Sequence, residues 1–277
     1  MATIVILEHE LQRELRIPYM VYAMAGHWRA AGHRVLVHQG LDDPPPGDVA
    51  INNIELTKVP AAYAEIFGRY PKVINGGVLD VSKRRFSQLL LTRESRWDGP
   101  VIVKTDANFG GKPEALLRQE ASRRGLAADI PSGPVADGYP TYASLSEVPE
   151  AAWTHPQLVV EKFVPEFDGR HYYLRFWVFC GDRERSSRWS STSPIVKSDS
   201  VVGREEVDVP DALRSLRSQL RFDFGKFDYV KAGDRYYLLD ANRTPSLPPA
   251  LSGEVAAAAM RAVAPGIASY LASPCGT

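Results

Sequence analysis

The sequence predicts an α/β protein in which a parallel βαβ unit precedes a larger region with an antiparallel sheet. Short apolar runs alternate with helical segments over residues 1–80, and this alternation favours a parallel sheet. Strand-like segments dominate from Leu158 onward, with pairing of the antiparallel type. A length of 277 residues and a hydrophobic content of 44% supply enough apolar material for a substantial core.

The first unit opens on a strand, a helix and a second strand. Its predicted elements are strands at residues 3–7, 35–37, 49–51 and 73–74, and helices at residues 19–31 and 59–70. Glu8-His9-Glu10 follows the first strand. Close approach of a dinucleotide phosphate would need glycines there, so NAD binding is excluded.

Two further units follow, and we predict boundaries of 1–80, 81–164 and 165–277. The second unit is predicted to contain a helix at residues 82–93, a strand at 101–104, a glycine-containing turn at 108–112 and a strand at 158–164. The third is predicted to contain strands at residues 172–180, 226–230 and 236–241, and helices at 211–220 and 252–263.

Charge and cysteine content exclude several classes of function. Lys plus Arg equals Asp plus Glu at 33 each, so no global field would attract nucleic acid or an anionic membrane. Cys180 and Cys275 resemble neither a disulfide framework nor a zinc-ligand pair. Signal-peptide and membrane-span patterns are missing from the sequence. We expect a cytoplasmic protein without nucleic-acid or membrane partners.

The segment from Lys226 to Pro245 reads as a hairpin rich in metal-binding side chains. Lys226 and Asp228 share one face of its first strand, and Asp240 and Asn242 share one face of its second. A loop of odd length would put all four on the same side, whereas a two- or four-residue loop would separate them. Two carboxylates and an amide oxygen suit Mg²⁺. The alternative is a surface hairpin with solvated carboxylates.

Two other segments carry weaker signals. Lys104 ends an apolar strand and is followed by Gly110-Gly111, where backbone N–H groups could close over phosphate oxygens; an ordinary glycine turn is the alternative. The segment 158–164 contains Glu161 and Lys162 in an apolar strand, which could hold an adenine ring. An ordinary strand with an exposed charged pair explains that segment equally well.

Taken in order, these segments resemble the ATP-grasp superfamily. The matching positions are Lys83, Lys104, the Gly110-Gly111 loop, residues 160–164, Arg175, Asp228 and residues 239–245. The resemblance covers almost the whole chain, because the βαβ opening is similar to the domain that precedes the grasp in D-alanine:D-alanine ligase and in the ribosomal-protein glutamate ligases. It implies a pre-grasp domain followed by a two-lobed ATP-grasp domain.

The resemblance also implies a nucleotide site. Glu161, Lys162, Phe163 and Val164 would line the adenine, and Lys83, Lys104, Gly110 and Gly111 would contact phosphates. Glu166 and Asp168 are both candidates for the ribose contact; neither aligns well, and Asp168 is included in the predicted nucleotide set.

A metal and phosphoryl-transfer site is implied beside it. Asp228, Asp240 and Asn242 would hold one or two Mg²⁺ ions, with Mn²⁺ as an alternative. Arg175 and Lys226 would face the transferring phosphoryl group and the acyl phosphate. Arg243, which follows a metal-binding position, is our candidate for holding a substrate carboxylate.

Three positions depart from the pattern of the superfamily. Asp240 stands where a glutamate is usual, so a site for one metal is conceivable. Lys226 stands where many members carry arginine and offers a point charge in place of a bidentate fork. Ser246 replaces the glycine often found after the Thr-Pro pair.

The activity implied by the resemblance is ATP-dependent ligation of a carboxylate to an amine. An acyl phosphate would form, an amino acid or peptide amine would capture it, and ADP and phosphate would be released. One alternative is a kinase of the same fold acting on a hydroxyl or carboxyl group of a small molecule. Another is a nucleotide-binding regulatory protein, against which the retained metal ligands argue. Superfamily members often form dimers, so a homodimer is an open expectation.

Overall fold

A four-stranded parallel sheet begins the fold in the computed structural model, which describes residues 1–127, 130–135, 138–197, 199–247 and 253–271. Its elements are β1 (Thr3–Glu8), α1 (Met20–Ala30), β2 (Arg34–Gln39), β3 (Val49–Asn52), α2 (Ala61–Phe67) and β4 (Val73–Ile74). The strand order is β2-β1-β3-β4, and every pairing is parallel. The predicted βαβ opening is confirmed.

A second sheet, of four antiparallel strands, follows in the order β5-β8-β6-β7. Its elements are α3 (Lys83–Phe86), β5 (Leu90–Leu91), β6 (Val101–Thr105), α4 (Lys112–Arg124), β7 (Thr141–Tyr142), α5 (Glu150–Thr154) and β8 (Leu158–Lys162). One face of this sheet packs Val101, Val103 and Val160 against α5, which leaves the opposite face to Lys104 and Glu161.

The third sheet is antiparallel and has the order β12-β11-β10-β13-β14, with β9 pairing to β10. Its elements are β9 (Glu166–Phe167), β10 (Tyr172–Cys180), β11 (Arg183–Ser191), β12 (Val201–Glu206), α6 (Asp211–Gln219), β13 (Phe224–Ala232) and β14 (Arg235–Asn242). The last helices of the described residues are α7 (Gly253–Val263) and α8 (Ala268–Leu271). The mixed α/β architecture agrees with the predicted fold class.

The closing helix α7 joins the core of the first unit. Met260 and Val263 pack into the same buried cluster as Ile4, Met24 and Trp28. The indole of Trp28 also donates a hydrogen bond to the carbonyl of Ala264 at 2.8 Å. The two ends of the described chain therefore share one hydrophobic core.

Several predicted boundaries need correction. The helix predicted over residues 82–93 is wrong: α3 ends at Phe86, and Leu90–Leu91 forms β5. Pairing of β5 with β8 overrides local helix propensity there. The strand predicted to reach Val164 ends at Lys162, and α4 was not predicted. Cys275 and the predicted helix start at Ser252 lie outside the described residues.

None of the helices in the described part of the chain combines the length and apolarity needed to cross a bilayer.

Candidate functional site

A β-bulge that the sequence did not predict brings the polar residues of the β13–β14 hairpin to one face. The loop of the hairpin has two residues, Gly233 and Asp234, a length that was predicted to separate the strands' polar faces. Leu239, however, is an extra residue in β14, because Tyr229 pairs with Leu238 whereas Asp228 pairs with Asp240. This β-bulge shifts the register by one residue and returns the polar side chains to one face.

Lysine–carboxylate pairs occupy that face. The Lys226 Nζ lies 2.9 Å from Asp228 Oδ1, and Lys226 is paired in register with Asn242. From α3, the buried Lys83 Nζ reaches to 3.6 Å from Asp240 Oδ1 and donates to the carbonyl of Ala107 at 3.1 Å. The predicted metal ligands and two of the predicted cationic residues therefore converge.

A third pair approaches from the second sheet. The register places Glu161 opposite Ile102, two residues before Lys104, so the two charged side chains share a face. The Lys104 Nζ lies 2.8 Å from Glu161 Oε2, with side-chain exposures of 10% and 1%. The carboxyl group of Asp228 has a raised pKa, chiefly because it is buried; Lys226 and Lys104 oppose the shift and Asp240 adds to it. The three pairs therefore form one electrostatic cluster.

The glycine segment lies at the start of α4. Phe109, Gly110 and Gly111 have φ of 46°, 69° and 76°, the left-handed region that glycine tolerates best. A Cβ on Gly111 would lie 3.0 Å from the carbonyl oxygen of Pro134. Helix α4 begins at the next residue and has 13 residues, so its N-terminal N–H groups and dipole favour an anion beside this turn.

The loop is also fastened to the first unit. The backbone N–H of Asn108 donates to the hydroxyl of Thr57 at 2.9 Å, and that hydroxyl donates to Glu114 Oε1 in α4 at 2.6 Å. Thr57, Asn108 and Glu114 are all buried. The glycine turn is therefore held between α4 and the first unit.

Residues 161–164 run from the end of β8 into the segment that joins the second and third sheets. Lys162, Phe163 and Val164 are half-buried, and the Lys162 Nζ lies 4.9 Å from the centroid of the Trp97 ring. Oε2 of Glu161 pairs with Lys104, whereas Oε1 is buried and has no hydrogen-bond partner among the described residues. An adenine contact at this segment would therefore use Glu161 Oε1, the backbone of residues 161–164 and the apolar side chains of Phe163 and Val164.

The two carboxylates considered for the ribose contact, those of Glu166 and Asp168, already bond to other residues. Asp168 is exposed and accepts hydrogen bonds from the backbone N–H groups of Arg170 and His171, at 2.9 and 2.8 Å. These bonds, together with one from Tyr173, lower its pKa. Glu166 is buried and pairs with Arg175. None of the hydrogen bonds of Asp168 reaches another predicted nucleotide residue.

Arg175 lies on the opposite face of the third sheet from the predicted metal ligands. It pairs in register with Tyr229, whereas Phe176 pairs with Asp228, and register partners project to the same side of a sheet. Its guanidinium donates to Glu166 at 2.9 and 2.6 Å. The structure thus corrects the prediction that Arg175 faces the transferring phosphoryl group, since strand alternation directs it away.

Arg243 is buried, and its guanidinium donates hydrogen bonds to backbone carbonyls. Its guanidinium donates to Val78 at 2.8 Å and to Ile54 and Leu56 at 2.9 and 2.6 Å. Burial lowers its pKa to about 10, although Glu55 opposes the shift. These contacts fasten the end of β14 to the first unit, so the placement does not favour the predicted role in holding a substrate carboxylate.

Comparison with known proteins gives matches among solved structures. No protein-family model matches the chain, and no curated protein matches it either. D-alanine–D-alanine ligase from Bacillus anthracis aligns with a TM-score of 0.50 and 10% identity, covering 98% of this chain and 96% of that one. The macrocyclase MdnC from Microcystis aeruginosa MRC, bound with precursor peptide MdnA, aligns with a TM-score of 0.50 and 12% identity over 94% and 99% of the two chains.

A third similar structure is that of the ATP-grasp ligase PsnB, complexed with a phosphomimetic variant of its minimal precursor, Mg and ADP. It aligns with a TM-score of 0.51 and 11% identity, covering 93% of this chain and 98% of that one. The chain has the ATP-grasp fold. The resemblance noted in the sequence is thereby confirmed as a relationship of fold.

Within this ATP-grasp fold, the donor set of the hairpin fits a hard divalent cation. Asp228 and Asp240 are register partners, and their carboxylates face the same side. The amide oxygen of Asn242 accepts a hydrogen bond from the Thr244 N–H at 2.9 Å, and a carbonyl oxygen has a second lone pair for a metal. Two carboxylates and an amide suit Mg²⁺ with water and phosphate as its other ligands.

Tyr139 is a site residue that sequence reasoning missed. Burial raises its pKa to about 12, and the charges of Asp240, Asp228 and Glu161 add to the effect. The carbonyl of the next residue, Pro140, accepts a hydrogen bond from the Val103 N–H at 2.9 Å, which places Tyr139 beside the strand that carries Lys104. Tyr139 belongs to the segment Gly138-Tyr139-Pro140 just before β7, where no hydrophobic period or motif marks it.

Proposed function

We propose that this chain is an ATP-dependent ligase that joins a carboxylate to an amine through an acyl phosphate. The observation that carries the proposal is that three lysine–carboxylate pairs, Lys83–Asp240, Lys104–Glu161 and Lys226–Asp228, form one electrostatic cluster. Phosphoryl transfer needs little covalent help from a protein, because positioning and charge stabilisation supply most of the catalysis. This cluster provides both.

The lysines would bind the phosphates of ATP. Lys83 and Lys104 are buried and held in place, Lys83 by the Ala107 carbonyl and Lys104 by Glu161. Each therefore presents a fixed positive charge, and little side-chain entropy remains to be lost on binding. The N–H groups of the glycine turn and the N-terminus of α4 would add backbone donors.

Asp228, Asp240 and Asn242 would hold Mg²⁺, one ion or two, with Mn²⁺ as an alternative. When bound, the metal supplies charge neutralisation on the phosphate oxygens. The Lys226 Nζ lies 2.9 Å from Asp228 Oδ1, where its ammonium would stabilise negative charge on the group being transferred. A carboxylate oxygen of the acid bonds to the γ-phosphorus while the bond to ADP breaks. The neutral amine then bonds to the acyl carbon while the bond from that carbon to the phosphate oxygen breaks, and phosphate and one proton of the amine are released.

The test uses Mg-ATP and pools of amino acids, peptides and other carboxylic acids, with products identified by mass spectrometry. Hydroxylamine in a parallel reaction captures an acyl phosphate as a hydroxamate, whereas a phosphorylated hydroxyl group is not captured. An amide product and a hydroxamate support the ligase. A phosphate ester without hydroxamate would instead establish the kinase alternative.

Metal-site variants provide the matched test of mechanism. Asp240→Ala and Asn242→Ala should abolish ADP production while the circular dichroism spectrum stays that of the wild type, because charge neutralisation is lost. Asp211→Ala is the control, since this side chain is 96% exposed in α6. Turnover at the wild-type rate in either metal-site variant would contradict the assignment.

A further inference from the structure

The two carboxylates predicted to bind the metal each have a lysine as counter-ion. The Lys226 Nζ lies 2.9 Å from Asp228 Oδ1 and donates a hydrogen bond to Asp228 Oδ2 at 3.2 Å. The Lys83 Nζ lies 3.6 Å from Asp240 Oδ1. A divalent cation would therefore compete with these ammonium groups for the same oxygens.

The two pairs differ in how closely their charged atoms approach. The 3.6 Å between Lys83 and Asp240 exceeds the usual length of a hydrogen bond, so this pair is held by charge alone. Lys83 also donates to the carbonyl of Ala107, and the Asp240 side chain is 25% exposed. Lys226 instead contacts both oxygens of Asp228, whose side chain is 18% exposed. Lys226 is therefore the stronger obstacle to a metal ion.

Packing keeps the ammonium of Lys226 beside Asp228. Its Nζ lies 4.9 Å from the centroid of the Phe176 ring, and Phe176 is the register partner of Asp228 on β10. A cation over an aromatic face is stabilised by the ring quadrupole. The stem of a lysine is flexible, however, so its ammonium can move to a new partner while the backbone stays in place. Lys226 is thus placed to exchange one anion for another.

The electrostatic cluster carries no net formal charge with which to attract a metal ion. Its three lysines, Lys83, Lys104 and Lys226, match its three carboxylates. A divalent cation entering here would lie close to at least one ammonium, and like charges repel more strongly in a buried site than in water. A nucleotide changes this balance, because its phosphates bring additional negative charge to the cluster.

We propose that Lys226 is a built-in counter-ion that keeps a divalent metal away from Asp228 until a nucleotide binds. The phosphates of the nucleotide then draw the ammonium away from Asp228, and the freed carboxylate becomes available to the metal that accompanies them. No covalent bond changes in this exchange, because one ion pair replaces another. The inference rests on the metal role proposed for Asp228, and it adds an order of binding in which the metal does not precede the nucleotide.

The experiment titrates the full-length protein with Mn²⁺ in the absence of nucleotide and follows free Mn²⁺ by electron paramagnetic resonance. Lys226→Met removes the ammonium and keeps a long unbranched side chain, so Asp228 loses its counter-ion. We expect this variant to bind Mn²⁺ at least about fivefold more tightly than the wild type, which is the lower end of the usual range for coupling between two ligands. Equal affinity of the two proteins, or no detectable binding by the variant, would overturn the proposal.

Two matched substitutions separate the charge of Lys226 from other effects. Lys226→Arg keeps a positive charge beside Asp228 and should leave the affinity for Mn²⁺ as weak as in the wild type. Lys231→Met makes the same chemical change in the same strand, but Lys231 projects to the opposite face, where its Nζ lies 5.9 Å from the centroid of the Tyr236 ring. It should therefore leave Mn²⁺ affinity unchanged. Tighter binding in either of these variants would overturn the assignment to Lys226.

A second substitution locates the bound metal. Asp228→Asn combined with Lys226→Met should remove the gained affinity, because the freed carboxylate is gone; retained binding would place the metal elsewhere and contradict the proposal. Lys226→Gln is an independent neutral variant, and circular dichroism checks the fold of each protein. Thermal denaturation gives a second readout. Mn²⁺ should raise the melting temperature of both neutral variants more than that of the wild type, since a ligand of the folded state stabilises it.

The counter-ion role and the ligase function can be refuted separately. Mn²⁺ binding needs no acid, amine or ATP turnover, so a protein that forms neither amide nor hydroxamate can still show tighter binding in Lys226→Met. That result would refute the ligase and leave the role of Lys226 intact. Conversely, an amide product together with unchanged Mn²⁺ affinity in the variant would refute the counter-ion role alone.

Discussion

The pair of Lys104 and Glu161 allows its contributions to stability and to nucleotide binding to be separated. Its charged atoms lie 2.8 Å apart, and the side chains are 10% and 1% exposed. Lys104→Met leaves the Glu161 carboxylate buried without its partner. Removing one member of a buried ion pair costs about 3–5 kcal/mol of unfolding free energy. Lys104→Met/Glu161→Gln removes both charges, so most of that loss should be recovered.

Nucleotide affinity should behave differently from stability. If Lys104 contacts a phosphate, its loss removes a charged hydrogen bond contributing about 1.5–3 kcal/mol, which weakens ATP binding about 10- to 100-fold. This weakening should be the same in the single and the double variant. Urea denaturation measures the first quantity and calorimetry with Mg-ATP the second. Recovery of both in the double variant would refute a phosphate role for Lys104.

Three other predictions concern the hairpin and its surroundings. Deletion of Leu239 should replace the bulge with a regular ladder in which Asp240 still pairs with Asp228 and Asn242 with Lys226, so Mg²⁺-dependent ADP production should survive, as it should in Leu239→Ala; loss of ADP production in the deletion variant alone would contradict the assignment of Leu239 as the extra residue. Arg243→Met should lower the unfolding free energy by about 3 kcal/mol, because three backbone carbonyls lose a charged donor; a change below about 1 kcal/mol in urea denaturation would argue against this. Burial raises the pKa of Glu55 from 4.5 to about 7, with hydrogen bonding by Thr244 opposing the shift. The folded state therefore binds the extra proton, and stability should fall by about 3 kcal/mol as the pH rises from about 4.5 to 7 and stay low above it. Glu55→Gln should remove that fall in thermal denaturation followed across the same pH range, and an unchanged pH profile would contradict the shift.

The sequence indicated which residues of the hairpin could bind a metal, but it did not predict how those residues are brought together. Alternation in the hairpin identified Lys226, Asp228, Asp240 and Asn242 as face-sharing pairs, because side chains alternate strictly along a strand. The bulge at Leu239 was not predictable, since Leu238 and Leu239 are both apolar and fit either face equally well. The register was therefore decided by packing of Leu238 and Ala241 into the core.

The position of Arg175 could not be read for a similar reason. It lies in β10, where the sequence Leu174 to Cys180 is otherwise entirely apolar, so alternation gives no direction. Only pairing with β13 establishes its face. Tyr139 comes from a loop, and loop positions have no period from which spatial neighbours can be inferred.

The packing of α7 against the first sheet has a consequence for synthesis on the ribosome. Domains commonly fold from the N-terminus as they emerge, but here Ile4, Met24 and Trp28 complete their core with Met260 and Val263. The first unit must remain only partly closed until translation has passed α7. During translation its exposed apolar surface is a natural client for chaperones, and a premature stop before α7 should yield an insoluble product.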